Sequence, residues 1–188
     1  MGDDKELAAL VEGVRRGDRR AFMAVVGLYQ QKVFVLAYSV LRDREDALDI
    51  VQETFLRLYR KIDSYRPGNN FQAWLLRIAK NLCIDHYRKN YARRREWEVP
   101  GGLDENQVAS PADTADSSAS DWREILSRGV GALAPQQKMV FIMRHYNELP
   151  YKDISAALKI SIGTVKSLHF KAVRNLRKKL GPYAGGAP

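Results

Sequence analysis

The sequence predicts an all-α protein: two small helical domains joined by a flexible acidic linker, the C-terminal one a helix-turn-helix. Three observations predict it. Helix formers dominate, and the period-two alternation of strands is hard to find. From Pro100 to Ser120 the composition turns to Gly, Pro, Ala, Ser, Asp and Asn, without one Lys or Arg. Beyond that stretch, two short apolar-periodic segments meet at a tight turn with helix-turn-helix spacing. A chain of 188 residues has room for two small domains, and 45% hydrophobic residues suffice for packed cores. The expected boundaries are 1–97 for the first domain, 98–121 for the linker, 122–181 for the second domain and 182–188 for a tail.

A first helix is expected from Lys5 to Arg15, with Leu7, Leu10, Val11 and Val14 on one face. Gly17-Asp18 breaks it, and Asp18 can cap the next helix. That helix runs towards Leu41 with Phe22, Val25, Val26, Tyr29, Val33, Leu36, Ala37 and Val40 at helical spacing. A third helix spans Asp43 to Ile62. Asp43 and Asp46 resemble a capping box, and three acids in the first turn suit the positive helix end. Ala47, Val51, Phe55, Leu58 and Ile62 form its apolar stripe. Leu56 falls on the far side, among Asp49, Gln52, Glu53 and Arg60. Such a leucine is either ordinary surface or the apolar spot of a contact rimmed by acids.

After a turn-rich loop, Asp63 to Asn70, a fourth helix runs from Phe71 to about Arg88. Phe71, Leu75, Ile78 and Leu82 point inward together; Arg77, Lys80, Asn81, Ile84 and Arg88 share the opposite side. Trp74 sits at the edge of the inward stripe, either core or a stacking surface. Asp85 also lies towards the inward side, placed to orient a neighbouring Arg. A basic run, Lys89, Arg93, Arg94 and Arg95, follows with Tyr87, Tyr91 and Trp97 interleaved. Cations mixed with aromatic rings suit unstacked bases of a single strand, where each stacked base is worth about 1–3 kcal/mol.

The linker, as a flexible coil, would hold its ends about 25 Å apart and could be drawn out to roughly 70 Å. Past it, Trp122, Ile125, Leu126 and Val130 predict a helix. Pro135 opens another in the first turn, where its missing N–H costs nothing. Met139, Val140, Ile142 and Met143 are its apolar positions. A short helix follows Leu149-Pro150-Tyr151, with Ile154, Ala157 and Leu158 on one side. Lys159-Ile160-Ser161 makes the turn, and Ser161 can cap a final helix from Ile162 towards Leu180. In that helix Val165, Leu168, Ala172 and Leu176 point inward. Thr164, Ser167, Phe170, Lys171 and Arg174 point outward, with Lys166 beside them and no acid among them. Hydroxyls, cations and one ring suit major-groove reading.

The formal charge of +9, with a pI near 9.7, points to a polyanionic partner. Residues 1–65 carry 11 positive and 11 negative side chains, and residues 66–97 carry 8 against 2. Residues 98–124 carry 1 against 7, and residues 125–188 carry 11 against 2. Two basic blocks therefore flank an acidic one. Cys83 is the only cysteine, which excludes an internal disulfide and fits a reducing compartment. The acidic N-terminus is unlike a signal peptide, and the apolar run Val33–Leu41 is too short to span a bilayer, so a cytoplasmic protein without membrane insertion is expected. His86, His145 and His169 are scattered without metal-ligand spacing, and no phosphate-binding glycine motif occurs. Neither an enzyme nor a bound cofactor is expected.

Three segments together resemble the extracytoplasmic-function (ECF) branch of the bacterial sigma-70 family. They are Asp46-Ala47-Leu48-Asp49-Ile50-Val51-Gln52-Glu53-Thr54-Phe55, then Phe71-Gln72-Ala73-Trp74-Leu75-Leu76-Arg77-Ile78-Ala79-Lys80-Asn81, then Ile162-Gly163-Thr164-Val165-Lys166-Ser167. The likeness covers Leu28 to Leu180. It implies an alternative sigma factor that binds core RNA polymerase, recognises −35 and −10 promoter elements and helps open the DNA. By resemblance, Asp49, Gln52, Glu53 and Leu56 would dock the polymerase clamp helices, with the flap as a second contact. Trp74, Arg77, Lys80, Asn81, Tyr87 and Arg88 would serve the −10 element and its melting. Thr164, Lys166, Ser167, Phe170, Lys171 and Arg174 would read the −35 element, and an anti-sigma factor would be a further partner. One departure stands out: similar sequences carry an Arg directly after Lys166-Ser167, where this chain has Leu168. The competing expectations are an ordinary helix-turn-helix regulator whose N-terminal half senses a signal or dimerises, which would bind its operator tightly without polymerase, and an RNA-binding antiterminator.

Overall fold

A computed structural model describes the backbone of residues 2–95 and 126–184; there is no strand among them. The expected linker 98–121, Trp97 of the basic run, Trp122 and Ile125, the tail residues from Gly185, and the side chains of Tyr91, Arg93, Arg94 and Arg95 lie outside what is described.

The N-terminal lobe consists of α1 (Gly2–Arg15), α2 (Arg19–Leu41), α3 (Arg44–Lys61) and α4 (Phe71–Arg95), with a 3-10 turn at Ile62–Ser64. Gly17 takes φ 78°, the left-handed turn that L side chains rarely adopt, and it ends α1. Asp18 then caps α2, its carboxylate accepting from Arg20 N at 2.7 Å and Ala21 N at 3.4 Å. By length and composition α2 is apolar enough to cross a membrane, which the short run Val33–Leu41 did not suggest. It is instead the central helix, packed against α1, α3, α4 and α6, with Val25, Val33, Leu36 and Ala37 fully buried. Burying each of the valine and leucine side chains stabilises the fold by about 1.5–3 kcal/mol.

Asp43 caps α3 as expected, its carboxylate accepting from Asp46 N at 2.9 Å. The reciprocal half of the box is missing: the Asp46 carboxylate turns to His86 of α4 at 3.0 Å. The buried face of α3 is also rotated from the expected stripe. Ile50 (4% exposed) and Thr54 (0%) join Ala47, Phe55 and Leu58, while Val51 is only half-buried. A buried hydroxyl there is tolerated because Thr54 Oγ1 donates to the Ile50 carbonyl at 2.6 Å. Cys83 is fully buried, and that burial pushes its thiol up to about 12.

The C-terminal lobe contains α5 (helical residues 126–131), α6 (Pro135–His145), α7 (Tyr151–Leu158) and α8 (Ile162–Ala184). Lys159 closes α7 in the left-handed conformation, φ 58°, donating its N–H to the Ser155 carbonyl. Ser161 caps α8, accepting from Thr164 N at 3.0 Å. Val165, Ala172 and Leu176 are buried along α8, and Leu168 is half-buried, so the helix-turn-helix register is the expected one.

The lobes do not stand apart. Helix α6 packs on α2 and α7 on α4, and one apolar cluster runs from Val25 and Leu36 through to Met139, Val140 and Met143.

Candidate polymerase and nucleic-acid interfaces

Three outward faces carry the residues singled out from the sequence. The first is on α3. Asp49 and Gln52 are exposed, Leu56 is 51% exposed, and Glu53 is half-buried beside Arg57, whose Nε donates to its carboxylate at 2.8 Å. Leu48 and Tyr59 are also exposed, at 43% and 52%. Leu48, Gln52, Leu56 and Tyr59 fall within one quarter of the helix circumference at about 100° per residue. Leu56 is therefore one of three apolar groups on this face. The signal for Leu48 lay in the same stretch, one turn before Gln52.

The second face is on α4. Asn81, Tyr87 and Arg88 are exposed and Arg77 is half-buried, but Trp74 and Lys80 are not on the surface. Trp74, 9% exposed, packs with Phe71 (ring centroids 5.7 Å apart) and Tyr65 (5.5 Å) in an aromatic cluster that Tyr29 completes. This resolves its position at the edge of the stripe in favour of the core. Lys80 is 8% exposed, and burial first, then Lys159 and Arg77, hold its ammonium below the usual lysine range against the opposing pull of Asp85. Asp85 is exposed rather than inward. It lines a groove of about 570 Å³ between α3 and α4, whose other walls include Asp49, Glu53, His86, Arg88 and Lys89. The first two faces thus meet in one groove.

The third face is on α8. Thr164, Lys166, Ser167, Phe170, Lys171 and Arg174 are all exposed, Phe170 by 66%. An exposed aromatic ring among cations and hydroxyls is poised for contact with bases and phosphates. Replacing Lys171 by alanine should weaken duplex binding and lower the slope of log K against log salt by about one phosphate's worth. An unaltered slope removes Lys171 from the interface.

The histidines are not all scattered. His145 of α6 and His169 of α8 meet with their Nε2 atoms 2.8 Å apart, and His169 Nδ1 lies 3.0 Å from the Tyr151 hydroxyl of α7. One hydrogen is shared between the facing nitrogens, so the chain ties all three helices only while the pair is not doubly protonated. Phe141 packs on His145, and Arg144 lies over the Tyr151 ring. Burial, then Arg144, lowers the His145 pKa; burial, then His145 and Arg144, lowers that of His169. Depressed folded values mean that the unfolded chain binds protons first. The contribution is complete above about pH 6.5 and is lost as pH falls through the lowered values. Melting curves should show the C-terminal lobe losing stability below pH 6.5 more steeply than a His145→Gln, His169→Gln chain; parallel profiles would refute the coupling. No group of three or more potential metal ligands occurs among the described residues.

The family signature described as Sigma-70 region 2 matches residues 25–94, and that of Sigma-70, region 4 matches residues 123–176. The ECF RNA polymerase sigma factor SigW of Bacillus subtilis (strain 168) is 32% identical over 176 residues, spanning 90% of this chain and 94% of that protein. The ECF RNA polymerase sigma-E factor of Escherichia coli (strain K12) is 32% identical over 183 residues, 92% and 93% of the two chains. Among solved structures, the sigma factor RpoE of Bartonella quintana, in complex with the anti-sigma factor NepR, superposes with a TM-score of 0.71. It shares 22% identity, over 85% of this chain and 96% of that one.

Proposed function

The chain belongs to the sigma-70 family as an ECF RNA polymerase sigma factor, and from that premise we propose how its three faces divide the work of initiation. It is not an enzyme; it binds core RNA polymerase, recognises the −35 and −10 promoter elements and helps open the DNA. Asp49, Gln52, Glu53 and Leu56, with Leu48 and Tyr59 added, dock the polymerase clamp helices. An apolar centre with an acidic rim fits a basic helical partner. Arg77, Asn81, Tyr87 and Arg88 engage the −10 strand, Lys80 joins them once uncovered, and Trp74 braces the loop end of α4. Thr164, Lys166, Ser167, Phe170, Lys171 and Arg174 read the −35 duplex, and the C-terminal lobe also meets the polymerase flap. The domains divide as 1–97, 98–121 and 122–181, and the protein acts in the cytoplasm. An anti-sigma factor is a further partner, as it is for the RpoE homologue held by NepR.

The observation that carries this reading is the exposed, acid-free face of α8 set apart from the exposed apolar-acidic face of α3. One face suits a polyanion and the other repels it. The test is transcription from a candidate promoter by core polymerase with and without the chain. Initiation should depend on it. Core binding without any added initiation would sink the functional assignment.

A further inference from the structure

Lys138 of α6 is a buried cation that none of the three faces uses. It is 7% exposed, and its ammonium has neither a hydrogen bond nor an ion pair to another described residue. Burial, then Arg42, brings its pKa down to about 8. A buried cation without a counter-ion costs free energy that an arriving anion returns.

The groups around it are those that hold a small anion. Helix α6 starts without a side-chain cap: Ala134 stands at the cap position, Pro135 brings no N–H, and the first turn contains no acid. The backbone N–H groups of Gln136 and Gln137 therefore leave the helix end without a partner among the described residues. Free N–H groups and the helix dipole both favour negative charge at such an end. Lys138 lies within one turn of it, and helical side chains lean back towards the N-terminus, so the ammonium is directed to the same place.

Arg42 approaches from the other lobe. It ends α2 in the left-handed conformation, φ 57°, and its guanidinium reaches the turn ahead of α6. Its Nη2 lies 3.0 Å from where a Cβ on Gly131 would stand, a space that a side chain there would contest. The acid beside Arg42 in sequence, Asp43, has its carboxylate engaged by Asp46 N as the cap of α3. Ala134 and Gln136 are exposed while Lys138 is buried, so the rim is open to solvent and the ammonium lies at the floor. A phosphate carried on a rigid duplex does not reach that floor, whereas a small free anion does.

We propose that the start of α6 is a binding site for a small oxyanion of the phosphate class, either free phosphate or the terminal phosphoryl group of a nucleotide. Gln136 N–H and Gln137 N–H donate to its oxygens, Lys138 supplies the counter-charge from the floor, and the Arg42 guanidinium closes on it from the end of α2. The site is separate from the outer face of α8 and stands independently of the promoter-reading assignment.

The full chain is titrated calorimetrically with inorganic phosphate, and melted in phosphate and in chloride at equal ionic strength. Phosphate should bind saturably and raise the melting temperature above that in chloride. Lys138→Met should melt at or above the unsubstituted chain in chloride, because an apolar side chain of similar shape replaces an unpaired buried cation. It should nevertheless bind phosphate at least tenfold more weakly, and Arg42→Gln at least fivefold. Lys178→Ala, in the exposed basic run of α8, should bind phosphate within twofold of the unsubstituted chain, and a saturating −35 duplex should leave that affinity within twofold. A nucleoside diphosphate held more than tenfold tighter than phosphate supports the site with a nucleotide as the source. One held within tenfold supports it with the free anion. Unchanged phosphate binding by Lys138→Met, displacement of phosphate by the duplex, or no stabilisation beyond that in chloride overturns the proposal.

Discussion

A chain carrying Leu56→Arg with Gln52→Ala will lose affinity for core RNA polymerase by about two orders of magnitude, which is some 2.7 kcal/mol. Both side chains are exposed on α3, so the fold should keep its stability within about 0.5 kcal/mol. The arginine replaces the central apolar group of the face by a charge and confronts the proposed basic partner with its own sign. Duplex binding through α8 should be unchanged, because that helix packs on α6 and α7. Pull-down or titration against core polymerase, beside a −35 duplex titration, measures both. Core affinity within threefold of the unsubstituted chain would remove α3 from the interface. Leu48→Ala and Tyr59→Ala should each give a smaller loss in the same assay, since both flank Leu56 on the exposed stripe.

Trp74→Ala should destabilise the N-terminal lobe by about 3–5 kcal/mol, the usual result of removing a large ring from a core. The ring is held between Phe71 and Tyr65, and Tyr65 in turn accepts from Arg15 Nη2 through its carbonyl at 2.6 Å and donates its hydroxyl to the Asn69 carbonyl at 2.6 Å. Losing the indole therefore loosens the loop that delivers the chain into α4. Trp74→Phe should recover most of the stability and also most of the strand binding. A different result would reverse the assignment: if Trp74→Ala shifts unfolding by less than about 0.5 kcal/mol yet abolishes strand binding, the ring is a base-stacking platform. Urea unfolding and oligonucleotide titration on the same samples separate the two.

What the sequence made legible follows the reach of helical periodicity. The inward faces of α4 and α8 were readable because each buries an apolar stripe against its own lobe, where a period of 3.6 suffices. Caps at Asp18, Asp43 and Ser161 were readable because a cap is local, closing within three residues. Lys80 and Lys138 were not. Lys80 sits on the polar side of its helix and Lys138 at the edge of the apolar face of α6, and each is buried near a cation from the other lobe. His145 and His169 lie 24 positions apart, and their meeting depends on the crossing of α6 with α8. Ile50 and Thr54 show a milder failure: the buried arc of α3 is wider than one stripe because α2 and α4 pack on it from two sides. Trp74 stood at the edge of its pattern, and there the neighbouring aromatic rings decide rather than the period.

The groove between α3 and α4 ties two of the functional faces to common walls. Asp49 and Glu53 belong to the side proposed to dock polymerase, Arg88 to the side proposed to bind the strand, and all three line the same space. If engagement of one wall alters affinity at the other, thermodynamic reciprocity fixes the return effect. Whatever factor core polymerase applies to the chain's hold on the −10 strand, the strand must apply to its hold on the polymerase. Once the melted strand is captured, such a linkage would make the sigma subunit harder to shed, and paired back into duplex, easier. The lifetime of the subunit on the polymerase would then report whether the promoter beneath it is open.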